Sequence, residues 1–161
     1  MIPEWLPSLV LFSHYDGNWE KYVEVLYKYF KQDFIQKRTS FQGIQIRLKR
    51  YPLSQGKEAT FWHLISEGET EENRIPDLRR CERIRWPRPM IINFKDSQIK
   101  LWKNQRRGET RVCLWLEDQE YIVILAERKG YNLLWTAYMV TENHRKRKLQ
   151  KEFENYHKNN P

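Results

Sequence analysis

Few residue types in this chain are suited to chemistry, and they fall in a short list of places. One is His63, in the run FWHLIS. A second is the set of arginines from Arg74 to Arg85, among them Arg79, Arg80 and Arg83. Arg128 with Lys129, and the pair Thr136 and Tyr138 in YNLLWTAYMV, complete the list. Such a set suits cleavage of RNA without a metal. That reaction needs a base to take the proton of the ribose 2′-hydroxyl, cations to stabilise charge building on the phosphate, and an acid for the departing 5′-oxygen. Histidine, with an ordinary pKa near 6.5, serves as base or acid. The planar fork of arginine fits phosphate oxygens. Thr136 and Tyr138 share a parity, so on a strand they project from one face about 7 Å apart. There they could orient a phosphate or a base.

Each residue also has a plainer reading. His63 lies between Trp62 and Leu64, as a hydrogen-bonded core histidine would. The arginines accompany Glu82 and could form a solvated, ion-paired helix face. Thr136 is ordinary in a strand, and Tyr138 could be a core tyrosine with a bonded hydroxyl. Other chemistries lack their signatures. There is no phosphate-binding glycine loop, dinucleotide fingerprint, metal-spaced Cys/His cluster or nucleophile elbow. No metal and no cofactor is expected.

The elements that must position these residues centre on Thr110–Val140. Three apolar, β-branched and aromatic runs, Arg111–Glu117, Tyr121–Glu127 and Tyr131–Val140, are separated by short polar breaks and predict an antiparallel meander. Gly130 supplies the positive φ of a tight hairpin. The second and third runs are apolar at both parities, so these strands should be central and covered on both faces.

Upstream, Asn18 is placed to cap a helix reaching about Gln36, with Trp19, Tyr22, Val23, Leu26, Tyr29, Phe30 and Phe34 as its apolar stripe. Phe41–Arg50 alternates, with Ile44, Ile46 and Leu48 inward and a basic outer face. Ala59–Ser66 reads equally as short helix or strand, and the acidic stretch from Glu67 to Glu72 as a loop. Pro76 is favoured at the first position of a helix that buries Leu78, Cys81 and Ile84 and is stopped by Pro87 and Pro89. Ile99–Arg107 reads as a further strand. Glu142–His157 is a very basic final helix anchored by Leu149, Phe153 and Tyr156. Helices segregated from an antiparallel sheet make an α+β fold with a C-terminal helix.

The 161 residues suit a single domain, 1–161, with residues 1–16 as an apolar extension docked on the body or, alternatively, a partner-binding arm. Lys and Arg number 29 against 21 Asp and Glu, a net charge of +8. RNA, DNA, an anionic membrane or an acidic protein would match that charge, as would a merely solvated surface. Cys81 and Cys113 have neither metal nor disulfide spacing and read as reduced core residues. The N-terminal stretch lacks the pattern of a signal peptide, and no run suits a transmembrane helix. The expected location is cytoplasmic.

FWHLIS, RIPDLRRCERIRWPRPMI and YIVILAERKGYNLLWTAYMV, in that order, resemble the phage-associated ribonucleases of the superfamily that groups barnase, EndoU, colicin tRNases and RelE (PBECR). The telling parts are the arginines leading into RIRW and the terminal YNLLWTAY, and the resemblance spans roughly Ala59–Val140. It implies a BECR-like fold with its cleft on the sheet, and metal-independent RNA cleavage leaving a 2′,3′-cyclic phosphate. His63 matches the histidine of the first motif, Arg80 and Arg83 the motif arginines, and Thr136 and Tyr138 the terminal motif. Arg79, Arg128 and Lys129 are added as substrate-binding residues from charge and place. The chain departs from the pattern where RIRW runs into Pro87-Arg88-Pro89. Members of this group often act as toxins, so tRNA or mRNA is the implied substrate and an acidic antitoxin or immunity protein the implied partner. The alternatives are a non-catalytic basic nucleic-acid-binding module and a component of a phage defence assembly.

Overall fold

A computed structural model describes residues 1–161. Its first helix, α1 (Trp19–Lys31), starts where Asn18 Oδ1 accepts the Lys21 N–H, closing the first turn. Tyr22, Val23, Leu26 and Phe30 are its buried stripe, whereas Trp19 stands at the rim, 37% exposed. The expected C-terminal continuation is a π-helical turn over Gln32–Gln36.

The alternating stretch from Phe41 is a hairpin, not one strand. β1 (Ser40–Phe41) pairs with β2 (Ile44–Arg47) through a turn in which Gln42 and Gly43 both have positive φ, 52° and 80°. Ile46 is buried, but Ile44 at the turn is 46% exposed, correcting its inward assignment. Ala59–Ile65 is helical (α2), which resolves the ambiguity over that run. β3 (Ser66–Glu67) and β4 (Ile75–Pro76) form a two-stranded ladder that closes the acidic loop.

Three assignments made around proline change. Pro76 lies in β4, and Asp77 caps the next helix, α3 (Leu78–Glu82), by accepting the Arg79 N–H. Cys81 and Ile84 are buried as expected, but Leu78 is 45% exposed. Pro87 and Pro89 do not end a helix. They open α4 (Pro87–Ile92), because proline has no N–H to leave unpaired in a first turn.

β5 (Ile99–Arg106), β6 (Glu109–Leu116), β7 (Tyr121–Arg128) and β8 (Tyr131–Met139) form an antiparallel meander, and α5 (Asn143–Asn159) follows. The sheet order is β1-β2-β8-β7-β6-β5. β7 and β8 are thus interior. The fold is α+β with helices on a mostly antiparallel sheet; only β2 against β8 is parallel. Both faces are covered. Val112, Leu114, Val123, Leu125, Leu134 and Ala137 pack under α1–α4. On the opposite face Trp102, Cys113, Trp115, Ile122 and Ile124 meet Leu149, Phe153 and Tyr156 of α5. Both cysteines are buried and free. The N-terminal segment is docked: Val10 N–H donates to the Glu82 carbonyl, Trp86 Nε1 to the Pro7 carbonyl and Trp5 Nε1 to Asp96. No helix is long and apolar enough to cross a membrane.

Candidate active site

β2 accompanies β8 only at Asn132 and Leu133, so the remainder of β8 is a free edge. α2 packs against this edge, where Thr136 bonds the His63 carbonyl, and the Glu67–Arg74 loop faces it across a hollow. A β-bulge at Trp135 sits at the same point, because Ile124 pairs with Thr136 and Leu125 with Leu134. Such bulges re-aim side chains and are frequent beside active sites. Beyond it, Thr136 and Tyr138 pair with Ile124 and Ile122, both of which face α5, so the two project from one face as their parity requires.

A cavity of about 410 Å³ lies here, lined by Lys49, His63, Glu71, Arg74, Arg80, Arg107, Trp135, Thr136 and Tyr138, among others. Four of the five residues expected in the catalytic role therefore meet: His63, Arg80, Thr136 and Tyr138. Arg83 does not join them. It lies over the Trp86 ring, 5.0 Å from its centroid, and donates to the Arg79 carbonyl and to Glu82. Arg79 borders the adjoining hollow with Tyr138 and Arg145. Arg128 pairs with Glu109 at 3.1 Å, and Lys129 occupies the β7–β8 turn; neither lines the cavity.

His63 is 8% exposed, and its Nε2 is 2.7 Å from Glu71 Oε1. Burial pushes the Glu71 carboxyl up, but its bond to His63 and the nearby Lys49 and Arg74 outweigh that and hold it below the ordinary value. Glu71 is thus ionised and can only accept, which places the neutral ring's proton on Nε2. Nδ1 keeps the lone pair. It has no hydrogen-bond partner in the protein. Burial pushes the His63 imidazole below 6.5, with Glu71 opposing and Arg74 and Lys49 assisting. At neutral pH it is an uncharged base in a fixed tautomer.

The arginines divide their duties. Arg74 donates Nε to Ser66 Oγ, Nη1 to the Gly68 carbonyl, and Nη2 to the Ser66 and His63 carbonyls. It is spent on closing the end of α2. Arg80 Nη1 serves the His63 and Ser66 carbonyls, and Nε is buried 3.5 Å from Asp77. Arg80 Nη2 donates no hydrogen bond within the protein. The guanidinium lies over the Tyr138 ring, 5.4 Å from its centroid. Thr136 Oγ1 donates weakly, at 3.4 Å, to the His63 carbonyl. Tyr138 Oη has no protein partner. Burial raises the pKa of Tyr138, so it stays protonated and is a donor.

Glu71, Lys49 and Arg107 were not singled out from the sequence. Glu71 falls in the acidic loop of the sequence, and only the fold brings it to His63. No group of three His, Cys, Asp or Glu side chains is placed to hold a metal ion. Searches of family models, curated proteins and solved structures find no match.

Proposed function

We propose that this chain is a metal-independent endoribonuclease. The observation that carries this reading is the neutral, Glu71-oriented His63 sharing one cavity with Tyr138, Thr136 and Arg80. In the proposed reaction His63 Nδ1 takes the proton of a ribose 2′-hydroxyl. The 2′-oxygen attacks phosphorus, and the bond to the 5′-oxygen breaks to leave a 2′,3′-cyclic phosphate. Arg80 Nη2, Lys49 and Arg107 face the charge that develops on the phosphate. The Tyr138 hydroxyl transfers its proton to the departing 5′-oxygen, and solvent then returns a proton to Tyr138 and removes the one held on His63.

The motif resemblance to the PBECR ribonucleases supports the same reading and extends it to a cytoplasmic toxin acting on tRNA or mRNA. An acidic antitoxin or immunity protein would suit the +8 chain. The test is incubation with tRNA and a structured mRNA in EDTA, beside His63→Gln. Cleavage to cyclic-phosphate ends, reduced about 10²–10⁴-fold in the variant, is the expected result. Intact RNA with the unaltered protein overturns it.

A second reading, a non-catalytic nucleic-acid-binding module or an inactive component of a phage defence assembly, is favoured by the arginines. All three Arg74 nitrogens serve the fold, while Arg145, Arg147 and Lys148 of α5 are exposed and have no ion pair. Under that reading, neutralising the α5 cations lowers RNA affinity and its salt dependence, with no cleavage at any stage.

A further inference from the structure

A second recess, of about 510 Å³, opens on the other side of the segment that carries Lys49. Its walls include Lys37, Arg38, Arg47 and Arg50, with Phe34, Ile35, Ile46 and Leu48 as the apolar part, and no carboxylate among the lining residues. The four cations are exposed. None forms a salt bridge or donates a side-chain hydrogen bond; Arg47 lies over the Tyr131 ring, 4.8 Å from its centroid. The His63 cavity differs: there Lys49 and Arg74 contend with Glu67, Glu69 and Glu71.

The recess is also built on fixed backbone. One wall is the π-helical turn Gln32–Gln36, a conformation that is rare and often found at functional sites. At its base Thr39 Oγ1 donates to the Asp33 carbonyl and accepts from Arg88 Nε, tying that turn to α4. Between the recess and the cavity runs Arg47–Arg50. Arg47, Leu48 and Arg50 border the recess, and Lys49 borders the His63 cavity.

We propose that this recess is a phosphodiester-binding subsite, and that a single RNA strand crosses the Arg47–Arg50 segment with one part in the His63 cavity and its flank in the recess. Four cations free of salt bridges would neutralise successive phosphates, and Phe34, Ile35 and Leu48 would offer apolar contact to sugars or bases. An anionic membrane also attracts cations, but these line a concavity beside a cavity read as taking RNA. The choice of RNA rests on the ribonuclease reading; the anion subsite itself does not.

The test uses the full chain and a labelled single-stranded 2′-O-methyl RNA of about 16 nucleotides, which has no 2′-hydroxyl to react. Affinity is followed by fluorescence anisotropy across a salt titration. Lys37→Gln with Arg38→Gln, and Arg47→Gln with Arg50→Gln, are made as separate pairs and together. Each pair should lower the salt slope by about 1.4, since each phosphate contact to a single strand contributes about 0.7, and the four together should weaken binding at least tenfold. Unchanged affinity and slope overturn the proposal. So does loss of binding to phosphatidylserine vesicles with RNA affinity intact, which would assign the recess to a membrane. Recess-dependent binding with no cleavage of ordinary RNA leaves the subsite standing and defeats the ribonuclease reading alone.

Discussion

Glu71 Oε1 lies 2.7 Å from His63 Nε2, across a loop that starts and ends in the β3–β4 ladder. The carboxylate is on the charged side of its titration and the imidazole on the neutral side. The pair therefore resembles a base and its orienter more than a salt bridge. If His63 is the base, cleavage is full while the ring is neutral and falls as pH drops through its pKa, which burial sets below 6.5. Glu71→Gln removes the contacts that oppose this lowering. The acid limb of kcat/KM should then move to still lower pH, while the plateau falls because the tautomer is less firmly held. A pH–rate profile of both proteins checks this; a limb that moves upward, or does not move, contradicts the assignment.

Under the ribonuclease reading, Tyr138 and Thr136 should separate positioning from chemistry. Tyr138 Oη has no partner within the protein, so Tyr138→Phe should unfold at nearly the same denaturant concentration as the unaltered chain. Cleavage should nonetheless fall about 10²-fold, as when a donor to a developing negative charge is removed. Thr136 already bonds the His63 carbonyl. Thr136→Val should cost less than about tenfold in rate and about 1 kcal/mol in stability. Equal rates for Tyr138→Phe and the unaltered protein would remove the tyrosine from the mechanism.

Arg74 and Arg80 both serve the Ser66 carbonyl, so their effects on stability should not add. Arg74→Ala strips several donors from the end of α2 and should destabilise by about 2 kcal/mol. The double Ala variant leaves that carbonyl with neither guanidinium and should lose more than the sum of the single changes. Chemical denaturation of the three variants is the measurement. Simple additivity would show that solvent replaces the guanidinium groups freely.

Much of this site follows from local pattern. The parity of Thr136 and Tyr138, the helix cap at Asn18 and the Gly130 turn are all short-range, and each is found where its residues require. Arg83 shows where such reading stops. Three residues after Arg80, it would share a face only in a continuing helix. α3 ends at Glu82, however, and Arg83 turns away at φ −105°, ψ 20° toward Trp86. Pro87 and Pro89 fit a helix start as well as a stop, and only the packing of Met90 and Ile91 into the core decides. The approach of Glu71, Lys49 and Arg107 to His63 depends on three separate chain segments meeting, which no spacing in the sequence encodes.

Arg107 makes that last meeting testable. With Gly108 it forms the β5–β6 turn at positive φ, 51° and 76°, a conformation Asn or Gly adopts more readily than Arg. No hydrogen bond or ion pair holds its side chain, yet it borders the His63 cavity. Left-handed backbone costs an ordinary side chain about 1–2 kcal/mol. Arg107→Asn should therefore raise the thermal midpoint, consistent with a gain of up to about 1 kcal/mol. If Arg107 faces the substrate phosphate, the same variant should cleave RNA more slowly, with KM raised and a shallower dependence on salt. Opposite movements of stability and turnover would mark Arg107 as a residue kept for the substrate at the expense of the turn. A stabilised variant with undiminished cleavage would show that its cation is not used.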